Sequence, residues 1–177
     1  MRKLIESTFV TLDGVISSPQ NWSPPYWNDE HDEHARKLLK DVDALLLGRL
    51  TYEVFAESWP LRAGDDFADQ LNSLPKHVAS TTLDEATWNA SIIRGDVAEE
   101  VAKLKDQPGQ DILKYGTGVL DRTLLEHHLI DELHLWIFPT VAGTGDRLLD
   151  GLDVTHLQLV DTTTFSTGII VATYAPK

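Results

Sequence analysis

The sequence contains no cysteine. A disulfide framework, a thiolate nucleophile and a zinc–thiolate site are therefore excluded. Long apolar runs are missing too, since no stretch approaches the roughly 20 residues that a membrane-spanning helix needs. The first residues, 1–6, reach an acidic side chain before the apolar core of a signal peptide can develop. We therefore expect a cytoplasmic protein that does not associate with membranes.

Positive charge is scarce, because 15 Lys and Arg stand against 28 Asp and Glu and give a net charge of −13. Such a chain repels nucleic acid and anionic membranes at long range, so a phosphorylated ligand needs a local site. The hydrophobic share of 42% is typical of a folded globular protein, and 177 residues are enough for one domain. We expect a single domain spanning residues 1–177 whose partner is a small molecule.

Strands and helices alternate along the first two thirds of the chain. Residues 3–12 predict a strand that ends at the turn Asp13-Gly14, and Asn28 is a suitable cap for a helix. The apolar run 44–47, which ends in Gly48, is typical of a central strand covered on both faces. Together these segments predict a βαβ unit.

The same alternation continues to residue 128. We predict a short helix from about Tyr52, a loop at Asp65-Asp66, a strand at 77–79, a helix opened by the pair Asp96 and Glu99, a strand at 112–115 and a helix at 119–128.

The last third of the chain changes character. Three strand-like segments follow at 133–141, 157–160 and 169–174, and no helix of any length separates the last two. This pattern predicts an antiparallel hairpin at the sheet edge. The sequence as a whole predicts an α/β fold with a mostly parallel sheet flanked by helices.

Residues 15–27 form a long connection that is rich in proline and in aromatic side chains. Prolines at positions 19, 24 and 25 argue against a helix. Trp22, Tyr26 and Trp27 are able to stack on a planar substrate, although aromatic side chains more often pack a core. We interpret the segment as a lid and the three aromatic residues as candidate substrate-binding residues.

Three strand-to-helix junctions have features of a phosphate site, and ligands of open α/β sheets lie beyond the carboxyl ends of the strands. At the first, Gly48 permits close backbone approach, Arg49 offers a forked donor, and Thr51 is placed to cap the next helix. At the second, Ser80, Thr81 and Thr82 are consecutive hydroxyls. An ordinary capped turn and an ordinary hydroxyl-rich turn are the alternatives.

The third junction is the sequence Gly116-Thr117-Gly118-Val119-Leu120. Two glycines beside a helix start let backbone N–H groups and the helix dipole face a pyrophosphate. Asp121 stands where a full dinucleotide fingerprint has its third glycine. All three junctions follow predicted parallel strands, so we expect them to open on the same edge of the sheet.

The order of these motifs resembles the dihydrofolate-reductase-like family. It is most similar to the C-terminal reductase domain of bifunctional riboflavin-biosynthesis deaminase-reductases. The segments that carry the resemblance, over nearly the whole chain, are 11–16, 48–53, 76 with 80–83, 116–120, 129–133, 139 and 143–145.

The resemblance implies a three-layer fold and an NADPH-dependent reductase, similar to a 5-amino-6-(5-phosphoribosylamino)uracil reductase. It implies that Gly48, Arg49 and Thr51 with the hydroxyls 80–82 hold the 2′-phosphate side. It also implies that residues 116–120 hold the pyrophosphate, and that Gly14 and Ile16 pass near the nicotinamide. Dihydrofolate reductase activity, a non-catalytic NADPH-binding sensor and a flavin- or nucleotide-binding module remain alternatives.

Hydride transfer asks little of side chains beyond orientation and a proton. We predict Asp13 as the polar group near the reacting centre, as a carboxylate or through a water, with Asp29 as its rival. His31 and His34 lie three residues apart on a helix but lack a third ligand motif, so we expect no metal site. Apolar side chains on both faces of the segment 133–138 predict a homodimer, as does the resemblance.

Overall fold

The computed structural model describes residues 1–177. Its strands are β1 (Leu4–Thr11), β2 (Val42–Gly48), β3 (Lys76–Ala79), β4 (Ala90–Ile93), β5 (Asp111–Tyr115), β6 (Glu132–Phe138), β7 (Leu157–Thr164) and β8 (Ile170–Pro176). Its α-helices are α1 (Asp29–Lys40), α2 (Arg49–Ser58), α3 (Asp66–Ser73), α4 (Val97–Asp106) and α5 (Val119–Glu126). Short 3₁₀ turns occur at Pro19–Asn21, Pro24–Tyr26 and Trp59–Arg62.

All eight strands form one sheet in the order β4-β3-β2-β5-β1-β6-β8-β7. The strands from β4 to β6 in this order pair in parallel, whereas β8 is antiparallel to β6 and β7 is antiparallel to β8. The predicted fold class is thus confirmed, including the hairpin at the edge. Because six strands run in one direction, their carboxyl ends all lie at one rim of the sheet.

Two elements were not predicted, and both are short. The expected loop at Asp65-Asp66 is the start of α3, because the Asp65 carboxylate accepts the N–H groups of Phe67 and Ala68 at 3.0 Å each. The four-residue strand β4 pairs with β3 at the edge of the sheet.

One predicted cap is wrong. Helix α2 begins at Arg49 with Gly48 as its N-cap, so Thr51 lies inside the helix and does not cap it. The caps predicted at Asn28 and Asp96 are confirmed, since Asn28 accepts the N–H of His31 at 3.1 Å and Asp96 accepts the N–H of Glu99 at 2.9 Å.

Helices cover both faces of the parallel part of the sheet and give three layers. Helices α1 to α3 pack on one face through a cluster that includes Leu39, Leu45 and Leu71. Helices α4 and α5 pack on the other face through a cluster that includes Val101, Ile112 and Leu124. None of the helices is both long and apolar enough to span a bilayer.

A third, aromatic cluster lies beside α1 at the end of the sheet that holds the hairpin. Its buried members are Trp136, Phe138, Phe165, Ile169 and Val171, and Phe9, Trp22, Tyr26 and Ala35 pack against it. The segment 15–27 is therefore held against strands β1 and β6.

Candidate active site

The three phosphate-type junctions lie side by side. They follow β3, β2 and β5, which are neighbours in the sheet. A Cβ atom added to Gly116, whose φ is +72°, would lie 2.9 Å from Oγ1 of Thr51. The turns after β2 and β5 are therefore in contact, and Gly116 has to be glycine for both steric and conformational reasons. The predicted convergence on one rim is confirmed.

The turn after β5 is open toward solvent. No heavy atom lies within 4 Å of a Cβ built on Gly48 or Gly118, and Val119 is 90% exposed. The N–H of Gly118 donates to the Asp121 carboxylate at 2.6 Å, whereas the N–H groups of Val119 and Leu120 donate to no protein acceptor. Free amides at a helix start, backed by the helix dipole, are suited to an anion.

The Thr117 hydroxyl is buried and has no hydrogen-bond partner in the protein. A buried polar atom without a partner needs an explanation, and a water or ligand at the turn supplies one. This atom lies between the two glycines of the turn.

Hydroxyls and two arginines surround the turn after β3. Oγ of Ser80 accepts the N–H groups of Thr82 and Leu83 at 3.2 and 3.0 Å, so Ser80 organises the turn while Thr81 and Thr82 are exposed. Arg49 follows β2 on one side and is exposed, paired with Glu53 at 3.1 Å. Arg94 follows β4 on the other side and donates to Asp84 O at 3.0 Å.

Arg94 was missed because β4 was missed. The signal was the β-branched pair Ile92-Ile93, which is typical of a strand and is followed by Arg94 and the turn residue Gly95. Two cations therefore flank the hydroxyl turn, in a protein whose net charge is −13.

Two of the three aromatic residues of the lid, Trp22 and Tyr26, attach the lid to the sheet. Nε1 of Trp22 donates to Ser17 O and the Tyr26 hydroxyl donates to Pro139 O, both at 3.1 Å. Their rings contact Phe138 at centroid distances of 5.4 and 6.0 Å. Packing thus explains Trp22 and Tyr26, whereas Trp27 is 45% exposed and stays a candidate for stacking on substrate.

The Asp13 carboxylate, which the sequence predicts near the reacting centre, is held by donors of the protein. It accepts the Thr11 hydroxyl at 2.5 Å and the N–H groups of Ala142 and Gly143 at 3.1 and 2.8 Å. These donors lower the pKa of Asp13 to about 2. Asp13 is therefore a carboxylate that anchors the loop after β6, and its role near the reacting centre stays a prediction.

The backbone beside Asp13 is also fixed by this loop. Gly14 O accepts the N–H of Leu148 at 2.8 Å, and the N–H of Ile16 donates to Asp146 O at 2.9 Å. The turn at Gly14 has φ +82°, as a tight turn at Asp13-Gly14 requires. Gly14 and Ile16 lie just beyond the carboxyl end of β1.

The far end of the lid is held at the start of α1. The Glu30 carboxylate accepts the N–H of Ser166 at 2.8 Å and also bonds the Ser166 hydroxyl, and these bonds lower the pKa of Glu30. Its neighbour Asp29 is exposed and its side chain makes no hydrogen bond. Asp29 thus has no contact that directs it into the cleft.

His31 is a candidate functional residue that sequence reasoning did not single out for catalysis. Its Nδ1 lies 3.1 Å from Oδ1 of Asp32, and its buried Nε2 has no partner. The ring stacks on Trp27 at 5.5 Å and contacts Phe9 and Trp136 at 5.7 and 5.2 Å. A histidine in a polar first helical turn carries no mark of burial in the sequence.

His31 and His34 do not form the two-histidine face of a metal site. The His34 ring packs edge-on against Trp136 at 4.9 Å, and no cluster of three His, Asp or Glu side chains has metal-binding geometry.

The phosphate-type junctions and the lid meet where β5 pairs with β1. Ser7 pairs with Tyr115, and the N–H of Gly116 donates to Ser7 O at 3.0 Å. The Tyr115 hydroxyl is buried without a partner, and burial raises its pKa. The glycine turn after β5 and the aromatic lid on β1 and β6 thus lie on neighbouring strands of the sheet.

A wound α/β sheet with this rim defines the class of the protein, which is the dihydrofolate-reductase-like fold. The family model of the RibD C-terminal domain matches residues 2–171. The chain therefore belongs to the RibD C-terminal domain family, which is of the riboflavin-biosynthesis reductase type.

Individual relatives and solved structures are similar over nearly the whole chain. The protein YyaP of Bacillus subtilis (strain 168) is 33% identical over 178 residues, which cover 98% of this chain and 94% of YyaP. A structure from Shewanella sp. PV-4, provisionally assigned to riboflavin biosynthesis, superposes with a TM-score of 0.80 at 22% identity and 99% coverage of both chains. Dihydrofolate reductase of Enterococcus faecalis, complexed with NADP(H), has a TM-score of 0.68 at 18% identity and covers 99% of this chain and 96% of its own.

The anchoring role of Asp13 predicts a local effect. In Asp13→Ala the N–H groups of Ala142 and Gly143 lose a charged acceptor, so we expect their amide hydrogen exchange to accelerate about tenfold or more. Asp146→Ala on the same loop is the control, because the Asp146 carboxylate makes no hydrogen bond.

The pH dependence has a defined sign. Because the pKa of Asp13 is lowered, its carboxylate stabilises the anchored loop fully above pH 3.8, the pKa in the unfolded chain. This stabilisation disappears as the pH falls through about 2. Protection of these amides should stay constant between about pH 5 and 8 after correction for intrinsic exchange. A loss of protection near neutral pH would show that another group holds the loop.

Proposed function

We propose that the protein is an NADPH-dependent reductase that transfers a hydride to a small heterocyclic or imine-type substrate. The observation that carries the proposal is the rim itself, where glycine and hydroxyl turns of β3, β2 and β5 adjoin the aromatic lid on β1 and β6. Membership of a riboflavin-biosynthesis reductase family supports the reaction type. The NADP(H) complex of the dihydrofolate reductase neighbour supports the cofactor.

The residues at the rim fit the parts of this cofactor. Arg49 and Arg94, with the hydroxyls of Thr81 and Thr82, would hold the 2′-phosphate, since guanidinium groups and hydroxyls are its natural donors. The free amides of Val119 and Leu120 would hold the pyrophosphate. Gly14 and Ile16 lie at the end of β1, where the nicotinamide would pass. Bound NADPH supplies the hydride, and the chain supplies orientation and a dry cleft.

The residues of the lid suit a planar, uncharged ring of a substrate better than a phosphate group. Residues 15–27 contain no Lys or Arg, so the lid offers no charged group to a substrate phosphate. Trp27 offers an indole face to a heterocycle. A reaction of the 5-amino-6-(5-phosphoribosylamino)uracil reductase type therefore requires that any ribose phosphate be held outside the lid.

The proposal predicts selective binding of NADPH. In a thermal-shift titration we expect NADPH to stabilise the protein more than NADH, FMN or ATP, by about 2.7 kcal/mol at 100 times the dissociation constant. Arg49→Ala and Arg94→Ala should each weaken NADPH binding about tenfold or more and leave NADH nearly unaffected. Arg62→Ala is the matched control, because Arg62 covers Trp59 beyond the far end of α2.

The same assay separates the rival functions. Tight NADPH binding without loss of reduced-nicotinamide absorbance on pyrimidine, dihydrofolate and imine panels would favour a sensor. Preferential stabilisation by FMN or ATP would contradict the proposed cofactor. Turnover with dihydrofolate alone would assign the protein to the folate-reducing branch of the fold.

We further propose that His31 supplies the proton that accompanies the hydride. Reduction of a C=N bond adds the hydride to carbon and a proton to nitrogen, so a donor beside the lid is needed. The Nδ1 of His31 is oriented by Asp32, and its Nε2 has no hydrogen-bond partner in the protein. The Asp13 oxygens, in contrast, already accept hydrogen bonds from the loop after β6. A planar substrate that replaces the Trp27 indole would lie against this ring.

Removal of His31 should therefore affect chemistry more than cofactor binding. With a substrate that supports turnover, we expect His31→Gln to lower kcat by about 10²-fold or more and to leave the NADPH dissociation constant within about twofold. His34→Gln, on the same helix and against the same Trp136, should retain activity. Equal losses in both variants would indicate a packing role for the pair.

A homodimer remains our proposal for the assembly. The outer strands expose the apolar side chains of Leu159, Val160 and Ile170, which are 57%, 57% and 40% exposed. On β6, Leu135 and Ile137 belong to none of the three core clusters. A second copy covering this face would bury them.

Sedimentation velocity at micromolar concentration tests the assembly. We expect a dimer for the wild-type protein and a monomer for Ile170→Glu, because a charge would be placed in the apolar contact. Leu61→Glu, at a position 84% exposed on a 3₁₀ turn, should stay dimeric. A wild-type monomer at this concentration would remove the proposal.

A further inference from the structure

Three charged side chains are buried together beneath the glycine turn. Glu6 on β1, Lys114 on β5 and Asp121 on α5 are 0%, 1% and 0% exposed. Nζ of Lys114 lies 3.0 Å from Oε2 of Glu6 and 2.9 Å from Oδ1 of Asp121. We call these three residues the buried triad. It lies on the α5 side of the sheet, opposite the lid.

The buried triad bonds directly to both glycines of the turn. Nζ of Lys114 donates to the carbonyl oxygen of Gly116, and Oδ2 of Asp121 accepts the N–H of Gly118 at 2.6 Å. The segment between these contacts contains Thr117, whose hydroxyl has no protein partner. The triad thus fixes the backbone on each side of Thr117.

Stability alone is a weak reason for such a cluster. Removing charges from water costs several kcal/mol for each ion, and well-packed apolar residues are often as stable as a buried ion pair. The chain also has a lysine pair away from the turn, in which the buried Lys105 is 2.6 Å from the partly exposed Asp131 and donates to Leu129 O at 2.7 Å. That pair contacts neither glycine of the turn.

The carboxylates of the buried triad favour the charged form of Lys114. Burial raises the pKa of Glu6 well above its usual value, and Asp121 adds to the rise against the effect of Lys114. Although burial opposes it, Glu6 and Asp121 raise the pKa of Lys114. Lys114 is therefore a charged donor to the carbonyl oxygen of Gly116.

We propose that Glu6, Lys114 and Asp121 act as positioning residues that hold the turn at Gly116 and Gly118 in the shape that receives the cofactor pyrophosphate. This inference rests on the proposed NADPH-binding function. The triad touches the turn through its backbone and makes no contact with substrate. Its loss should therefore weaken binding of ligands that carry the pyrophosphate and spare ligands that lack it.

The test compares two probes on the full-length protein by isothermal titration calorimetry. NADPH carries the pyrophosphate, whereas adenosine 2′-phosphate carries only the phosphate end that Arg49 and Arg94 would hold. In Lys114→Met and in Asp121→Asn we expect NADPH affinity to fall about tenfold or more. The first variant removes the donor to Gly116 O, and the second replaces the charged acceptor of the Gly118 N–H by a neutral one. Affinity for adenosine 2′-phosphate should change by less than about twofold.

A control variant separates positioning from simple loss of stability. Lys105→Met removes a buried lysine away from the turn and should lower the urea midpoint without changing either affinity. If Lys114→Met does not fold, Asp121→Asn still carries the test, since it keeps the lysine.

The outcomes distinguish the two proposals. If the wild-type protein does not bind NADPH, the proposed function fails and takes this inference with it. If the wild-type protein binds NADPH and Lys114→Met and Asp121→Asn bind both probes as the wild type does, the positioning role is refuted while the function stands. Equal weakening for both probes would also refute it, because that result signals a general loss of structure.

Discussion

The structure depends on the parallel pairing of β1 with strands on both of its sides. Through β5 this strand joins the half of the sheet that ends in glycine and hydroxyl turns, and through β6 it joins the half that supports the lid. The carboxyl ends of parallel strands all lie at one rim of the sheet. Turns that are more than 100 residues apart in sequence are therefore brought together there. The two faces of β1 contribute to different parts of the molecule. On the lid side, Ser7 accepts a hydrogen bond from Trp136, and on the opposite side Glu6 belongs to the buried triad.

Electrostatics at this rim is local and not global. A net charge of −13 gives no long-range attraction for a cofactor that is itself anionic. Affinity has to come from short-range donors, namely two arginines that are already paired, backbone amides at the start of α5, and hydroxyls after β3. In the proposed site, contacts that hold the turns in shape would therefore matter as much as contacts to the ligand itself.

Much of this arrangement was predictable from the sequence, because long periodic segments and glycine turns leave a clear pattern. The βαβ order, the edge hairpin and the adjacency of the turns at Gly48, Ser80 and Gly116 were predicted correctly. Helix α3 and strand β4 were missed because eight and four residues give little periodicity, and the loss of β4 hid Arg94. Thr51 was misplaced as a cap since a glycine N-cap leaves no side-chain signal.

Side-chain roles were harder to predict than the backbone. Asp13 follows the first strand at a turn, which suggested a carboxylate near the reacting centre. Its partners Ala142 and Gly143 are about 130 residues away in sequence, so the sequence could not indicate these hydrogen bonds. Trp22 and Tyr26 were expected to face a ligand, but the backbone acceptors that fix them became visible only in the fold. The buried triad likewise combines three distant positions.

The two fastenings of the segment that begins after Asp13 and ends at Glu30 limit how it can move. At one end, the Asp13 carboxylate accepts the N–H groups of Ala142 and Gly143. At the other end, the Glu30 carboxylate accepts the N–H of Ser166 in the turn between β7 and β8. The segment is also attached in its middle, through Trp22 and Tyr26, so it cannot leave the sheet as a free arm. Rearrangement is then confined to the stretches between these attachments, one of which contains the half-exposed indole of Trp27.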